Sequence, residues 1–213
     1  MWEDHQVKKP CPFIAVEGAI GAGKTTLATM LAERFDFPLL KEIVDENPFL
    51  DKFYQNIEEW AFQLEMFFLC NRYKQLEDTV QNYVSRGLPV VSDYHIYKNW
   101  IFAQRTLHGD KREKYRQIYH LLTDDLPKPN VIVYIKTELA TLLRRIEKRG
   151  RDFEQDIDPG YLEQLIEDYE TAITQLQTQE PETVIITIDG NALDFVEHPE
   201  HFEQIVAKIK EHL

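Results

Sequence analysis

A three-layer α/β/α fold around a five-stranded parallel sheet, of the type built on a phosphate-binding loop, is predicted by three features of the chain. Short, nearly continuous apolar runs rich in Val and Ile recur along it, as strands buried on both faces do. Long helical patterns separate these runs, so the connections are crossovers and the sheet is parallel. The first run leads directly into Gly18-Ala19-Ile20-Gly21-Ala22-Gly23-Lys24-Thr25-Thr26, and a helix-like stretch from Leu27 to Phe35 follows.

The strands are expected at Phe13–Val16, Phe37–Ile43, Pro89–Asp93, Val131–Ile135 and Val184–Ile188. The longest helical pattern runs from about Glu58 to Arg86 and stops at Gly87, with Pro89 beyond, as helix ends commonly do. Ligands of such sheets bind at the carboxyl ends of the strands. The loop from Gly18 to Lys24, Glu42 and Asp93 all fall at or just after such ends.

The segment 18–26 has the form G-x-x-x-x-G-K-[ST], and its chemistry explains its residues. Glycines let the backbone curl so that successive N–H groups converge on phosphate oxygens. The helix N-terminus adds partial positive charge. Lys24 can reach the outer phosphates, and the Thr25 hydroxyl can ligate Mg²⁺.

The 213 residues suit one domain spanning the chain, and 43% hydrophobic residues suffice for a sizeable core. A net charge of −13 repels nucleic-acid backbones, so the expected partners are small molecules. Two cysteines, Cys11 and Cys70, make no disulfide framework and point to a reducing compartment. The opening residues lack a signal-peptide layout and no apolar run reaches membrane-spanning length, so a cytoplasmic location is expected.

The segments Gly21–Met30, Asn47–Tyr54 and Tyr119–Pro129 carry a resemblance that extends over nearly the whole chain. The sequence resembles the deoxynucleoside kinases. Within them it looks most like the bacterial purine enzymes, in particular the deoxyguanosine kinases of bacilli. The resemblance implies transfer of the ATP γ-phosphoryl group to the 5′-hydroxyl of a purine deoxynucleoside, deoxyguanosine first, with Mg²⁺. It also implies a homodimer paired through long helices. Alternatives are a deoxyadenosine or broader deoxynucleoside kinase, a nucleoside-monophosphate kinase, and a regulatory module that binds nucleotide without catalysis.

Residue by residue, the resemblance makes Glu42 the catalytic base and assigns Mg²⁺ to Thr25 and Asp93. Tyr54, six residues before Trp60, would bond the sugar 3′-hydroxyl. Gln63 would hold the base, because an amide on an otherwise apolar helical face needs a partner. Met66, Phe67 and Cys70, at i+3, i+4 and i+7 from it, would line the base pocket, and Phe102 would stack on the base. Arg145, Arg149 and Arg151, of the form R-x-x-x-R-G-R, open an arginine-rich lid over about 149–158 that would clamp the phosphates, with Glu154 reaching the sugar. Asp189 would lie by the adenine of the donor. One departure stands out. Relatives have arginine after the strand-end acid, where this chain reads Asp93-Tyr94-His95, so another cation must serve or the acceptor site differs.

Overall fold

The computed structural model describes residues 11–43, 47–151, 154 and 157–213. A five-stranded parallel sheet has the order β2-β3-β1-β4-β5. Its strands are β1 (Phe13–Glu17), β2 (Leu39–Leu40), β3 (Val90–Ser92), β4 (Val131–Lys136) and β5 (Val184–Asp189). Every residue of β1 is buried, and β4 is buried up to its last residue. Both are central strands covered on two faces, which is why they read as unbroken apolar runs.

β2 is shorter than the stretch 37–43 suggests. It pairs only Leu39 with Val91 and Leu40 with Ser92. Pro38 ahead of it has no N–H to donate, and at the sheet edge nothing extends the ladder.

The helices are α1 (Lys24–Phe35), α2 (Leu50–Gln55), α3 (Ile57–Asn82), α4 (Tyr97–Thr106), α5 (Gly109–Thr123), α6 (Leu139–Arg149), α7 (Pro159–Gln179) and α8 (Pro199–Lys210). α3 starts from Asn56, whose side chain accepts the Glu59 N–H as an N-cap. A 3₁₀ turn at Val84–Arg86 follows it and closes on Gly87, where the expected helix ended.

Two cores flank the cleft. One packs Leu27, Leu31, Tyr169, Ile205 and Ile209 of α1, α7 and α8 onto the sheet. The other joins Phe53, Leu64, Leu69, Leu76, Tyr94 and Tyr115, chiefly from α2, α3 and α5. The seam between them opens at the carboxyl ends of β1, β2 and β3.

No helix among the described residues is long and apolar enough to cross a membrane. Residues 152–153 and 155–156 of the expected lid lie outside the described residues.

Candidate active site

A cleft of about 1090 Å³ occupies the seam and is lined at one end by Gly21, Gly23, Lys24, Thr25 and Thr26. Gly21 has φ +85°, and a Cβ there would come within 2.8 Å of Ile146 and 3.0 Å of the Leu142 carbonyl. Only glycine lets the loop pass this close to α6. Gly18, Ala19 and Ala22 form the inner side of the loop, with both alanines buried. Arg145 braces it from α6, donating to Ala22 O and Gly190 O, both at 2.8 Å.

Lys24 Nζ donates to Gly18 O at 2.7 Å and Ala19 O at 3.0 Å. Burial first, and the nearby Lys98 second, hold its ammonium down to about 7. A polyanion in the loop would reverse that trend. Behind the loop stands Glu17, a carboxylate that sequence reasoning passed over. It accepts from the Gly18 N–H at 3.2 Å, the His95 N–H at 2.6 Å and the Tyr169 hydroxyl at 3.3 Å.

Asp93 links the loop to the middle of the cleft. The Thr25 hydroxyl donates to its Oδ2 at 2.7 Å, and the Glu42 backbone N–H donates to its Oδ1 at 2.7 Å. A hydroxyl beside a carboxylate is a hard-oxygen pair of the kind Mg²⁺ takes.

The Glu42 carboxylate is held by two cations. Arg72 Nε donates to Oε1 at 2.9 Å, with a second, shorter bond from Nη2, and Lys98 Nζ reaches Oε1 at 3.1 Å and Oε2 at 2.7 Å. Burial alone would raise its pKa, but Lys98 and then Arg72 outweigh it and hold the carboxyl well below the usual range. Tyr94 is turned away, its hydroxyl donating to Gln75 Oε1 at 3.1 Å inside the second core. The positive charge absent at position 94 is thus supplied beside Glu42 by Lys98 and Arg72, which come from two different helices.

Beyond Glu42, α3 and α4 run antiparallel and present matching side chains. Arg72 faces Lys98 across Glu42, and Glu65 accepts from Thr106 Oγ1 at 3.0 Å. Phe68 and Phe102 lie between these pairs and line the cleft. Each cation sits near an aromatic ring, Arg72 4.6 Å from the Phe68 centroid and Lys98 5.8 Å from that of Phe102. Leu50, Phe53 and Tyr54 of α2 and Tyr161 of α7 complete this chamber.

Arg149, the last residue of α6, and Arg151 just beyond it also line the cleft. Arg149 Nε donates to Glu154 Oε2 at 2.9 Å, with a shorter bond from its Nη2, and Arg151 pairs with Glu154 Oε1 at 3.6 Å. Tyr54 senses both Glu154 and Arg149.

The family model of the deoxynucleoside kinases matches residues 14–213. The chain belongs to this family. This deoxynucleoside kinase is 65% identical over 200 residues to the deoxyguanosine kinase of Bacillus subtilis (strain 168), covering 94% of this chain and 97% of the relative. It is 34% identical to a deoxyadenosine/deoxycytidine kinase of the same organism, covering 81% of each. Its fold matches a deoxyadenosine kinase from M. mycoides with a TM-score of 0.80 at 24% identity, over 93% of this chain and 99% of that one.

The structure of the kinase departs from the sequence expectation on α3. Gln63 and Cys70 are exposed and Met66 and Phe67 half-buried, and none of the four lines the cleft. Gln63 and Cys70 face solvent, so the amide needs no buried partner, while Met66 packs against the second core and Phe67 against Phe49. The inner face instead carries Leu64, Glu65, Phe68 and Arg72. Glu65 and Arg72 are 1% and 3% exposed, and their charges make this face look solvated in the sequence. The spacing that could have revealed it is Ala61, Leu64, Glu65, Leu69, Arg72, Leu76 and Thr79, all buried, an i, i+3, i+4, i+7 stripe.

Asp189 is also displaced from its expected role. Its Oδ1 accepts from the Asn191 and Ala192 N–H groups at 2.8 and 3.2 Å, capping the turn after β5, and Asn191 and Phe195 line the cleft in its stead.

Proposed function

We propose that this family member transfers the γ-phosphoryl group of ATP to the 5′-hydroxyl of deoxyguanosine. One observation carries the reading. Asp93 joins the Thr25 hydroxyl of the phosphate loop to the backbone of Glu42, so the triphosphate end of the cleft and its acceptor chamber meet at a single carboxylate. The choice of deoxyguanosine over other acceptors is supported by the 65% identical relative.

The loop amides, Lys24 and Arg145 hold the donor's phosphates, and Arg149 and Arg151 offset charge that builds on them during transfer. Thr25 and Asp93 are the residues that would hold Mg²⁺, which supplies charge neutralisation on the phosphate oxygens. Glu42 orients the 5′-hydroxyl and takes its proton. Its depressed pKa keeps it ionised throughout the working range, and a loose phosphoryl-transfer transition state asks little prior deprotonation of the nucleophile. Lys98 takes the work of the absent arginine, fixing Glu42 and facing the group in transit. Tyr54 and Glu154 hold the sugar, and Phe102 and Phe68 flank the base.

The kinase is read as cytoplasmic and as a homodimer. The exposed positions along α3, Gln63 and Cys70 among them, support pairing through that helix. Initial rates with a panel of deoxynucleosides and ATP test the main reading. Deoxyguanosine is expected to be the preferred acceptor, and ATP hydrolysis with no labelled nucleoside would refute it.

A further inference from the structure

We propose that Glu65 selects the purine. Its carboxylate accepts together from N1–H and the 2-amino group of guanine, and its protonated form, one O–H donor beside one acceptor, pairs with N1 and the 6-amino group of adenine. The inference rests on the kinase reading above and adds the residue that sets its preference.

The first support is position. Glu42, between Arg72 and Lys98, marks where the acceptor's 5′-oxygen lies. Glu65 is seven residues from Arg72 on α3, and Thr106 is eight from Lys98 on α4. At the rise of an α-helix these pairs are about 10–12 Å apart along the cleft. A nucleoside laid from Glu42 passes its base between Phe68 and Phe102 and brings the base's far edge to Glu65.

The second support is chemistry. Glu65 is buried yet lines the cleft, where its neighbours in the chamber are Leu50, Leu64, Phe53, Phe68, Phe102 and two tyrosines. A carboxylate accepts and cannot donate. Guanine shows two adjacent donors on its pairing edge, whereas adenine shows a donor and an acceptor. The ionised acid therefore fits guanine and leaves adenine N1 facing a lone pair, a mismatch that is costly in a dry site. Thr106 Oγ1 fixes Oε1 from behind with a hydroxyl that also reaches Phe102 O at 2.9 Å, so its proton has an acceptor in either state of Glu65. The Tyr161 hydroxyl in the same chamber is buried without a hydrogen-bond partner among the described residues. It is a donor available to the guanine 6-oxygen, which the carboxylate cannot serve.

Glu65 is also poised to change state. Burial pushes it up to about 7, against the Thr106 hydrogen bond and the more distant Arg72 and Lys98. The other titratable groups that face it are Tyr54 of α2, Tyr115 of α5 and Tyr161 of α7, all raised by burial first and further by Glu65. They stay neutral near pH 7, so Glu65 is the group that titrates there. Preference for guanine over adenine is expected to rise with pH.

The test measures kcat/KM of the wild type and Glu65→Gln with deoxyguanosine, deoxyinosine and deoxyadenosine between about pH 6 and about pH 8. In the wild type the deoxyguanosine-to-deoxyadenosine ratio should rise roughly tenfold or more over this interval. Deoxyinosine, which lacks the 2-amino group, should fall roughly tenfold below deoxyguanosine. Glu65→Gln should lower the ratio roughly 10- to 100-fold, remove its pH dependence and leave KM for ATP unchanged. The ATP value and a thermal melt guard against misfolding, and the deoxyinosine comparison needs no variant. A wild type that phosphorylates deoxyguanosine, with a variant that keeps the wild-type ratio at every pH, overturns the role of Glu65 and leaves the kinase reading standing. A wild type that labels no deoxynucleoside overturns both.

Discussion

The two ends of the cleft are built from different materials. At the loop end the wall is largely backbone, and its residues are contiguous: nine positions from Gly18 to Thr26, curled by glycines with positive φ. At the other end the cleft is walled by side chains, and they come from α2, α3, α4 and α7, with Tyr54 and Tyr161 107 positions apart. The difference teaches that a loop made of amides is written in the sequence as a motif, whereas a chamber made of side chains is written only in helical phase. An error of one or two residues in that phase turns a chamber wall into a surface.

Four substitutions break or sharpen this comparison. The largest effect is expected where the two ends meet. Glu42→Gln should lower kcat by roughly 10²- to 10⁴-fold while leaving equilibrium binding of deoxyguanosine near the wild-type value. Retained turnover would mean that the junction is not where transfer occurs.

Next is a gain in stability at the acceptor end. The folded pKa of Glu65, about 7, lies above its unfolded value near 4.5. The folded state therefore binds the extra proton, and the associated stability is present below the unfolded value and lost as pH rises through 7. Glu65→Gln should then be more stable than the wild type at about pH 8, by on the order of 3 kcal/mol and so with a higher Tm, with the gap closing near pH 5. An equal Tm at both pH values would show that the carboxyl is not strained by burial.

A smaller loss is expected at the phosphate end. Gly21→Ala forces a side chain into left-handed backbone and against Ile146 and the Leu142 carbonyl, at a cost of about 1–3 kcal/mol. KM for ATP should rise and KM for deoxyguanosine should not. If both move equally, the two ends are not separate binding units.

The smallest effect is expected at Gln63. Gln63→Ala should change the KM of either substrate by less than about twofold, as exposed positions do. A large loss of acceptor affinity would restore the amide to the pocket and undo the helical phase described for α3.

What was legible follows the same division. The P-loop, the strand-end placement of Glu42 and Asp93, and the five parallel strands were readable because each is a local pattern. Arg149, Arg151 and Glu154 were readable as a cluster around one glycine. α3 was not, because a polarity reading places Glu65 and Arg72 in water. Its true inner stripe mixes those charges with Ala61, Leu64 and Leu76, and what makes the charges tolerable is partners far along the chain, Thr106 for one and Glu42 for the other. Lys98 was invisible for the same reason. Nothing near it in the sequence says that it pairs with Glu42, 56 positions earlier.

Glu17 has a wider reach than its place behind the loop suggests. One buried carboxyl group fastens the first amide of the loop, the chain leaving β3 and, through Tyr169, α7. Three parts of the molecule thus share a common fastening inside the protein. Their mutual placement is tied to a side chain that does not itself line the cleft.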